Sequence, residues 1–388
     1  MSRSISLPFN TDHWSKLDDG TTESILARLP FIDLFRFQLV AKNWDSMIQS
    51  STFHKACKEL ANRLPWFFML NADVRVNTVY DVEVSNWRQC RLPFSLNDMH
   101  PLTSSNSLIC AMTGLRDLTV CNPLTGSQRM IAESFLIDEC IDAITLRASG
   151  SSYKVYVVWT PTVHSFVVDI YSSEDNTWTH IPMEEENLVT KDIDQVNENI
   201  NDRFPVVVEQ NIDFSCSTKL SGVSTIDSNG RETVYYLFRR ERLISCDVHQ
   251  GIAYRYPLLP GKTEDPSDVV ECRGRILVVA KDIDADGKTS IRLSEFNHNE
   301  MKWKSVSTAP SHMSEIYSGI PIELDSSGHD DYVMICVFSV TNKIYDVLLY
   351  NIVEAVWVKL PPYFDHHTRR RQKFITPFAI MPDLNATA

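Results

Sequence analysis

The sequence predicts an α+β chain of two domains: a small all-α segment, then an all-β propeller of six blades, or seven if one more copy lies hidden. Three observations predict it. Apolar residues keep a helical spacing through residues 15–64. From Trp66 onward they come in strand-length runs, often alternating, with Thr, Val, Tyr and Trp enriched. Within that second region a Tyr, Phe or Cys, a polar turn, and a Trp seven residues on recur along the chain. At 388 residues the length suits two domains or one large closed one.

Residues 1–14 are polar and expected to be disordered, with Trp14 a candidate to fold back on the helices. Residues 15–64 carry four helical patterns. Ile25, Leu26 and Leu29 read as one helical face, and Pro30 ends that helix. Asp33 can cap a second helix bearing Leu34, Phe35, Leu39 and Val40, and Asn43 a third bearing Trp44, Met47 and Ile48. A fourth opens at Ser50-Ser51-Thr52 and carries Phe53, Ala56, Cys57, Leu60 and Leu64. A unit this small buries little surface alone, so it needs a partner or a neighbouring domain.

The spacing L-x7-I-L-x2-L-P-x3-L-x5-V-x3-W-x8-F through Leu17, Ile25, Leu26, Leu29, Pro30, Leu34, Val40, Trp44 and Phe53 resembles the F-box, the adaptor-binding segment of cullin-type ubiquitin ligases. The resemblance implies that Leu17, Ile25, Leu26, Leu29, Pro30 and Leu34 lie against a Skp-type adaptor. It implies that Val40, Trp44 and Phe53 hold the helices together or extend that contact. The front half departs from the family. Leu17-Asp18 and Thr21-Thr22 stand where Leu-Pro and two apolar residues are usual. That departure bears on the strength of adaptor binding more than on the fold.

The strand region, residues 65–382, repeats. Tyr80 with Trp87, Tyr171 with Trp178, Phe296 with Trp303, and Tyr350 with Trp357 are the clear copies. Cys121 and Cys246 start weaker ones, each with a Gly five residues on. Successive starts are 41, 50, 75, 50 and 54 residues apart, and ~40–50 residues is the length of one four-stranded blade. An indole at that phase can wedge between neighbouring blades, and closing the blades into a ring leaves only short sheet edges. The region is similar to the kelch-type propellers that follow F-boxes in many plant proteins, on Tyr350-Asn351 ahead of Trp357 and on CNPLTG at Cys121 to Gly126. The kelch double glycine is missing. Residues 184–202 are acidic, lack a strand pattern and are expected to form a mobile loop on one face of the ring. FITPFAIM, at Phe374 to Met381, reads as a last strand that pairs into the blade begun at Trp66 and closes the circle. Residues 383–388 are expected as a tail.

Composition excludes several classes. The formal net charge is −13 with no cationic stripe, so nucleic acid is not expected; Arg369-Arg370-Arg371 reads as a solvated loop. Nine cysteines, at 57, 90, 110, 121, 140, 216, 246, 272 and 336, form no C-x2-C pair; no zinc site is expected, and reduced thiols suit the nucleus or cytoplasm. The opening MSRSISLPFNTDHW lacks the apolar core of a signal peptide, and no apolar run is long enough to span a membrane. Asp282, Asp284, Asp286 and Gly287 begin like a calcium loop, but Leu293 occupies the place of its bidentate Glu, so a polar hairpin is expected. His366-His367 point apart in an extended chain, and Asp330-Asp331 read as solvated. No nucleophile elbow, P-loop or dinucleotide fingerprint occurs. No cofactor and no catalytic set is expected.

The expected function is substrate recognition for an SCF (Skp–cullin–F-box) ubiquitin ligase. Its partners would be a Skp-type adaptor, a cullin through it, and a target protein on one propeller face. Asp18, Thr21 and Thr22 motivate an alternative, a propeller scaffold or transcriptional cofactor whose F-box no longer binds the adaptor. A propeller enzyme, such as a glycosidase or sugar oxidase, would need converging carboxylates or metal ligands that the sequence does not offer.

Overall fold

The computed structural model describes residues 17–29, 31–38, 40–59, 64–71, 78–89, 99–113, 117–131, 141–162, 165–187, 222–238, 242–259, 265–365, 369–383 and 386–388. The chain divides into two compact units, Met1–Leu64 and Pro65–Ala388.

The first unit is helical: α1 (Asp19–Ala27), α2 (Phe31–Gln38), α3 (Lys42–Ile48) and α4 (Ser51–Glu59). α1 packs on α4, and α3 packs on both α2 and α4. Asp18 caps α1: one carboxylate oxygen accepts from the Thr21 N–H at 2.8 Å and the other from the Thr21 hydroxyl at 2.7 Å. Ser50 caps α4 by accepting from the Phe53 N–H at 3.2 Å. Two expected caps are corrected. α2 begins ahead of Asp33, which falls in its first turn, where a carboxylate still favours the helix dipole. α3 begins at Lys42 with Ala41 at its cap position and Asn43 inside it.

The second unit is a propeller of six four-stranded blades among the described residues. Blade 1 holds β1 (Trp66–Asn71), β2 (Thr78–Asp81) and β3 (Asn86–Gln89). Blade 2 is β4 (Met99–Ser105), β5 (Leu108–Thr113), β6 (Leu118–Cys121) and β7 (Gln128–Ile131). Blade 3 is β8 (Ile141–Ser149), β9 (Ser152–Thr162), β10 (Ser165–Ser172) and β11 (Thr177–Asn187). Blade 4 is β12 (Val223–Ile226), β13 (Glu232–Phe238), β14 (Arg242–Asp247) and β15 (Ile252–Arg255). Blade 5 is β16 (Asp265–Cys272), β17 (Arg275–Ile283), β18 (Thr289–Asn297) and β19 (Lys302–Thr308). The short helix α5 (Ser311–Ser314) leads to blade 6: β20 (Glu323–His329), β21 (Tyr332–Ser339), β22 (Ile344–Asn351) and β23 (Val356–Lys359). The last strand, β24 (Phe374–Ile380), returns to become the innermost strand of blade 1, with Trp66 opposite Ile380 and Phe68 opposite Phe378. The innermost strands touch in the cyclic order β24, β4, β8, β12, β16, β20 and back to β24.

Ring closure explains the sequence pattern. Each blade is covered on both faces, so the middle of a second strand can be apolar without alternation: Leu277 to Ala280 in blade 5 and Val333 to Val337 in blade 6 are wholly buried. Outer strands alternate instead; β23 exposes Val356 and Val358 and buries Trp357. Apolar clusters straddle the seams between blades 2 and 3, 3 and 4, 4 and 5, and 5 and 6.

The recurring turn joins the third and fourth strands. Tyr80 faces Trp87, Tyr171 faces Trp178, Phe296 faces Trp303 and Tyr350 faces Trp357 across those hairpins. Cys121 and Cys246 occupy the same place in blades 2 and 4. The following residue organises the turn: Asp81, Asn122, Asp247, Asn297 and Asn351 each accept, through a side-chain oxygen, from the backbone N–H two residues on. Five residues past the repeat start the backbone turns left-handed in all six copies, at Ser85, Gly126, Asn176, Gly251, Met301 and Ala355. Glycine stands there only in the two copies that lack the Trp. The indoles do bridge blades. Trp87 Nε1 donates to Pro361 O at 2.8 Å, Trp303 Nε1 to Pro257 O at 2.9 Å, and Trp357 Nε1 to Ser307 Oγ at 2.8 Å, each acceptor lying in the preceding blade or its exit.

Two further expectations are revised. The acidic insertion is not loop from its start: residues 184–187 finish β11, and they pair in parallel with β15, tying blade 3 to blade 4. Backbone ladder bonds are indifferent to side-chain polarity, and Glu185 gains an ion pair with Arg255 at 2.8 Å. The expected tail is fastened, since Asn122 Nδ2 donates to Asp383 O and Ala386 O, and the Ala388 N–H donates to Ser127 Oγ. Residues 1–14, 188–202, Pro30, Cys90, Cys140, Cys216 and His366-His367 lie outside the described residues.

Candidate functional site

The residues proposed from sequence to meet an adaptor separate into two sets. Leu26 and Leu34 are wholly buried, as are Ile48 and Phe53, and Trp44 is nearly so. Trp44 packs its indole 5.3 Å from the Phe37 ring. Leu17 and Ile25 are each 37% exposed, Val40 is 66% exposed, and Leu29 is half-buried. The helical period explains the division within α1. Thr22 and Leu26 lie one turn apart and are both buried, whereas Ile25, a hundred degrees round, faces outward. The three apolar residues Ile25, Leu26 and Leu29 therefore do not form one face.

Sequence reasoning missed Thr22 as an inward residue; its i,i+4 relation to Leu26 was the available signal. The departures at Asp18 and Thr21 also have a local purpose, since together they form the cap of α1. The Thr21 hydroxyl and N–H hold the Asp18 carboxyl below its usual range.

The ring offers a second feature. A cavity of about 280 Å³ opens among the innermost strands, lined by Ser105, Thr145, Arg147, Ser224, Glu271 and Ser327 among others. Its walls are stitched from blade to blade. Ser105 Oγ accepts from the Ala148 N–H at 3.0 Å, Asp268 accepts from the Ser326 N–H and hydroxyl at 2.8 and 2.9 Å, and Ser327 Oγ accepts from the Ala379 N–H at 3.0 Å.

The residues with catalytic potential are engaged structurally. Asp284 accepts from the N–H groups of Asp286 and Lys288 in a tight hairpin, and Asp282 pairs with Arg292 at 2.8 Å. Asp331 pairs with Arg273. Burial pushes the Cys121 and Cys246 thiols up to about 12, which suppresses the thiolate a nucleophile or metal ligand requires. Among the described residues no three His, Cys, Asp or Glu converge as metal ligands, and no helix is long and apolar enough to cross a membrane.

Comparison with known proteins agrees with the helical geometry. Residues 14–56 match the F-box domain family. F-box only protein 13 of Arabidopsis thaliana is 25% identical over 394 residues, covering 96% of this chain and 85% of that protein. F-box only protein 6 of the same plant is 22% identical over 391 residues, covering 99% and 77%. An Arabidopsis thaliana F-box/kelch-repeat protein is 27% identical over 194 residues, 42% of this chain and 45% of its own length. Residues 14–56 are an F-box, and the chain with its propeller resembles the plant F-box/kelch-type family. F-box proteins serve in general as the substrate-recognition subunits of SCF ubiquitin ligases, typically without catalysis of their own.

Proposed function

We propose that this chain is the substrate-recognition subunit of an SCF ubiquitin ligase, gripping a Skp-type adaptor with its helices and a target protein with its ring. The observation that carries the reading is the F-box at residues 14–56 with Leu17, Ile25 and Val40 turned outward. Apolar side chains on so small a helical unit are the kind of surface a partner covers. In this reading Leu17, Ile25 and Val40 touch the adaptor, with half-buried Leu29 at their margin; Pro30, expected there from the family resemblance, lies outside the described residues. Leu26, Leu34 and Trp44 hold the helices that present them. The mechanism is proximity: the ring raises the effective concentration of target lysines near ubiquitin-carrying subunits, which supply the chemistry. Reduced, buried thiols fit work in the nucleus or cytoplasm.

The test is co-purification of the full chain with a plant Skp adaptor and cullin. Ile25→Asp with Val40→Asp should abolish recovery of the adaptor while the melting curve stays put, because both side chains are exposed. Undiminished recovery by that variant would overturn the assignment of the face. Asp18 and Thr21 favour a second reading, a scaffold whose F-box has lost the adaptor, because they put polar groups where the family is apolar. Failure of the wild-type chain to recover any adaptor would decide for it.

A further inference from the structure

One cation in the central cavity of the ring pairs with no carboxylate. All six innermost strands contribute to the wall of that cavity, and serine and threonine line it from β4, β8, β12 and β20. Its titratable residues are Arg147, Glu271 and His329. Arg147, in β8, is half-buried. Its Nη1 donates to Ser224 O in β12 at 3.2 Å, while its Nε is buried and meets no acceptor. The carboxylates around it are engaged elsewhere. Glu232, on the neighbouring strand β13, accepts from Lys154 Nζ at 2.7 Å and Tyr156 Oη at 2.8 Å. Glu271 accepts from the Gly274 N–H at 2.5 Å. His329 sits 3.6 Å from Asp330. Among the described residues no carboxylate forms an ion pair with Arg147.

The cation is also fixed in place. Ala148, next to it, is clamped on both sides of its backbone: its N–H donates to Ser105 Oγ at 3.0 Å, and its carbonyl accepts from Asn106 Nδ2 at 2.7 Å. The Ser224 carbonyl anchors the guanidinium from the next blade, and the Ser224 hydroxyl has no partner among the described residues. A guanidinium held this way has given up water without gaining a negative charge. An oxyanion restores the balance through charge-assisted hydrogen bonds, and the rigid placement lowers the cost of binding it. The rest of the wall constrains the ligand further. Serine and threonine hydroxyls and the Glu271 carboxylate would be left unsatisfied by an apolar body, so the ligand must carry hydrogen-bonding groups of its own. A volume of about 280 Å³ admits a small molecule.

We propose that the central cavity of the ring binds a small hydroxylated oxyanion, a sugar acid or a sugar phosphate. Its carboxylate or phosphate would lie on Arg147 beside the Ser224 hydroxyl, and its hydroxyls would face Glu271 and the serines of the wall. The inference goes beyond the ligase reading and does not rest on it.

The test is isothermal titration calorimetry on the full chain. The probes are D-gluconate and D-glucose-6-phosphate, which tell a carboxylate from a phosphate, with D-glucose and inorganic phosphate as controls. At least one of the two anionic sugars binds saturably with a Kd below about 1 mM. D-Glucose, which lacks the anion, and inorganic phosphate, which lacks the hydroxyls, each bind about tenfold more weakly or worse. Arg147→Gln and, separately, Ser224→Ala each weaken the better ligand by about tenfold. Melting curves establish that the variants are folded; should Arg147→Gln fail to fold, Ser224→Ala decides. Absence of saturable binding by either anionic sugar up to about 10 mM overturns the proposal. So does binding of D-glucose or inorganic phosphate as tight as that of the anionic sugars, or an affinity unchanged in the folded variants. Adaptor recovery measured on the same preparations keeps the two readings apart: its loss strikes the ligase reading and leaves the cavity result standing.

Discussion

Trp357 shows how much one residue carries. It packs against Tyr350 with ring centroids 4.7 Å apart and the ring planes tilted by 34°, and its indole N–H crosses the seam to Ser307. Trp357→Ala should cost about 3–5 kcal/mol, read from denaturant unfolding. An unchanged unfolding curve would contradict the seam role. Asp346 gives a pH signature. Burial acts to raise its carboxyl, but hydrogen bonds from Lys359, Tyr317 and Arg371 outweigh that and hold it below the ordinary value. A lowered folded pKa means stability present in full above the unfolded value, ~3.9, and lost as pH falls through the folded one. Asp346→Asn should therefore melt earlier than wild type at neutral pH, and the two curves should converge in strong acid. A gap that stays constant down to that pH would refute the account.

At the scale of elements, hairpins were legible and edges were not. The seven-residue spacing from Tyr80 to Trp87 or Tyr350 to Trp357 fixes a cross-strand pair, because the turn length sets the register. Residues 184–187 escaped notice, since Glu-Glu-Glu-Asn has no apolar alternation to mark it. Its strand state comes from the edge of β15, a neighbour distant in sequence. Caps were similarly ambiguous: Asp33 and Asn43 have the right chemistry, yet the backbone turned into helix before them. The element on which most depends is β24. Thr376 donates to Asp325 at 2.6 Å across the seam to blade 6, while the strand pairs with β1 along its length. A chain lacking residues 374–388 should lose its single cooperative melt and expose apolar surface to a dye such as ANS. A truncated chain with a wild-type melt would show that closure is dispensable.

For the molecule as a whole, the sequence announced a helical unit and a ring because each has its own period. It did not announce which apolar residues of the helical unit face out. Leu26 and Ile25 are chemically alike, and only helix packing separates them. The Asp346 cluster was also hidden, since Tyr317, Lys359 and Arg371 are scattered along the chain until the ring brings them together.

The position of β24 has a consequence for how the protein is made. A ribosome extrudes the first three strands of blade 1 early and their inner companion only after the other five blades. Until then the nascent chain carries an open edge at Trp66 to Met69. Full assembly must wait until β24 has emerged, and chaperone occupancy during translation should be concentrated on that waiting strand.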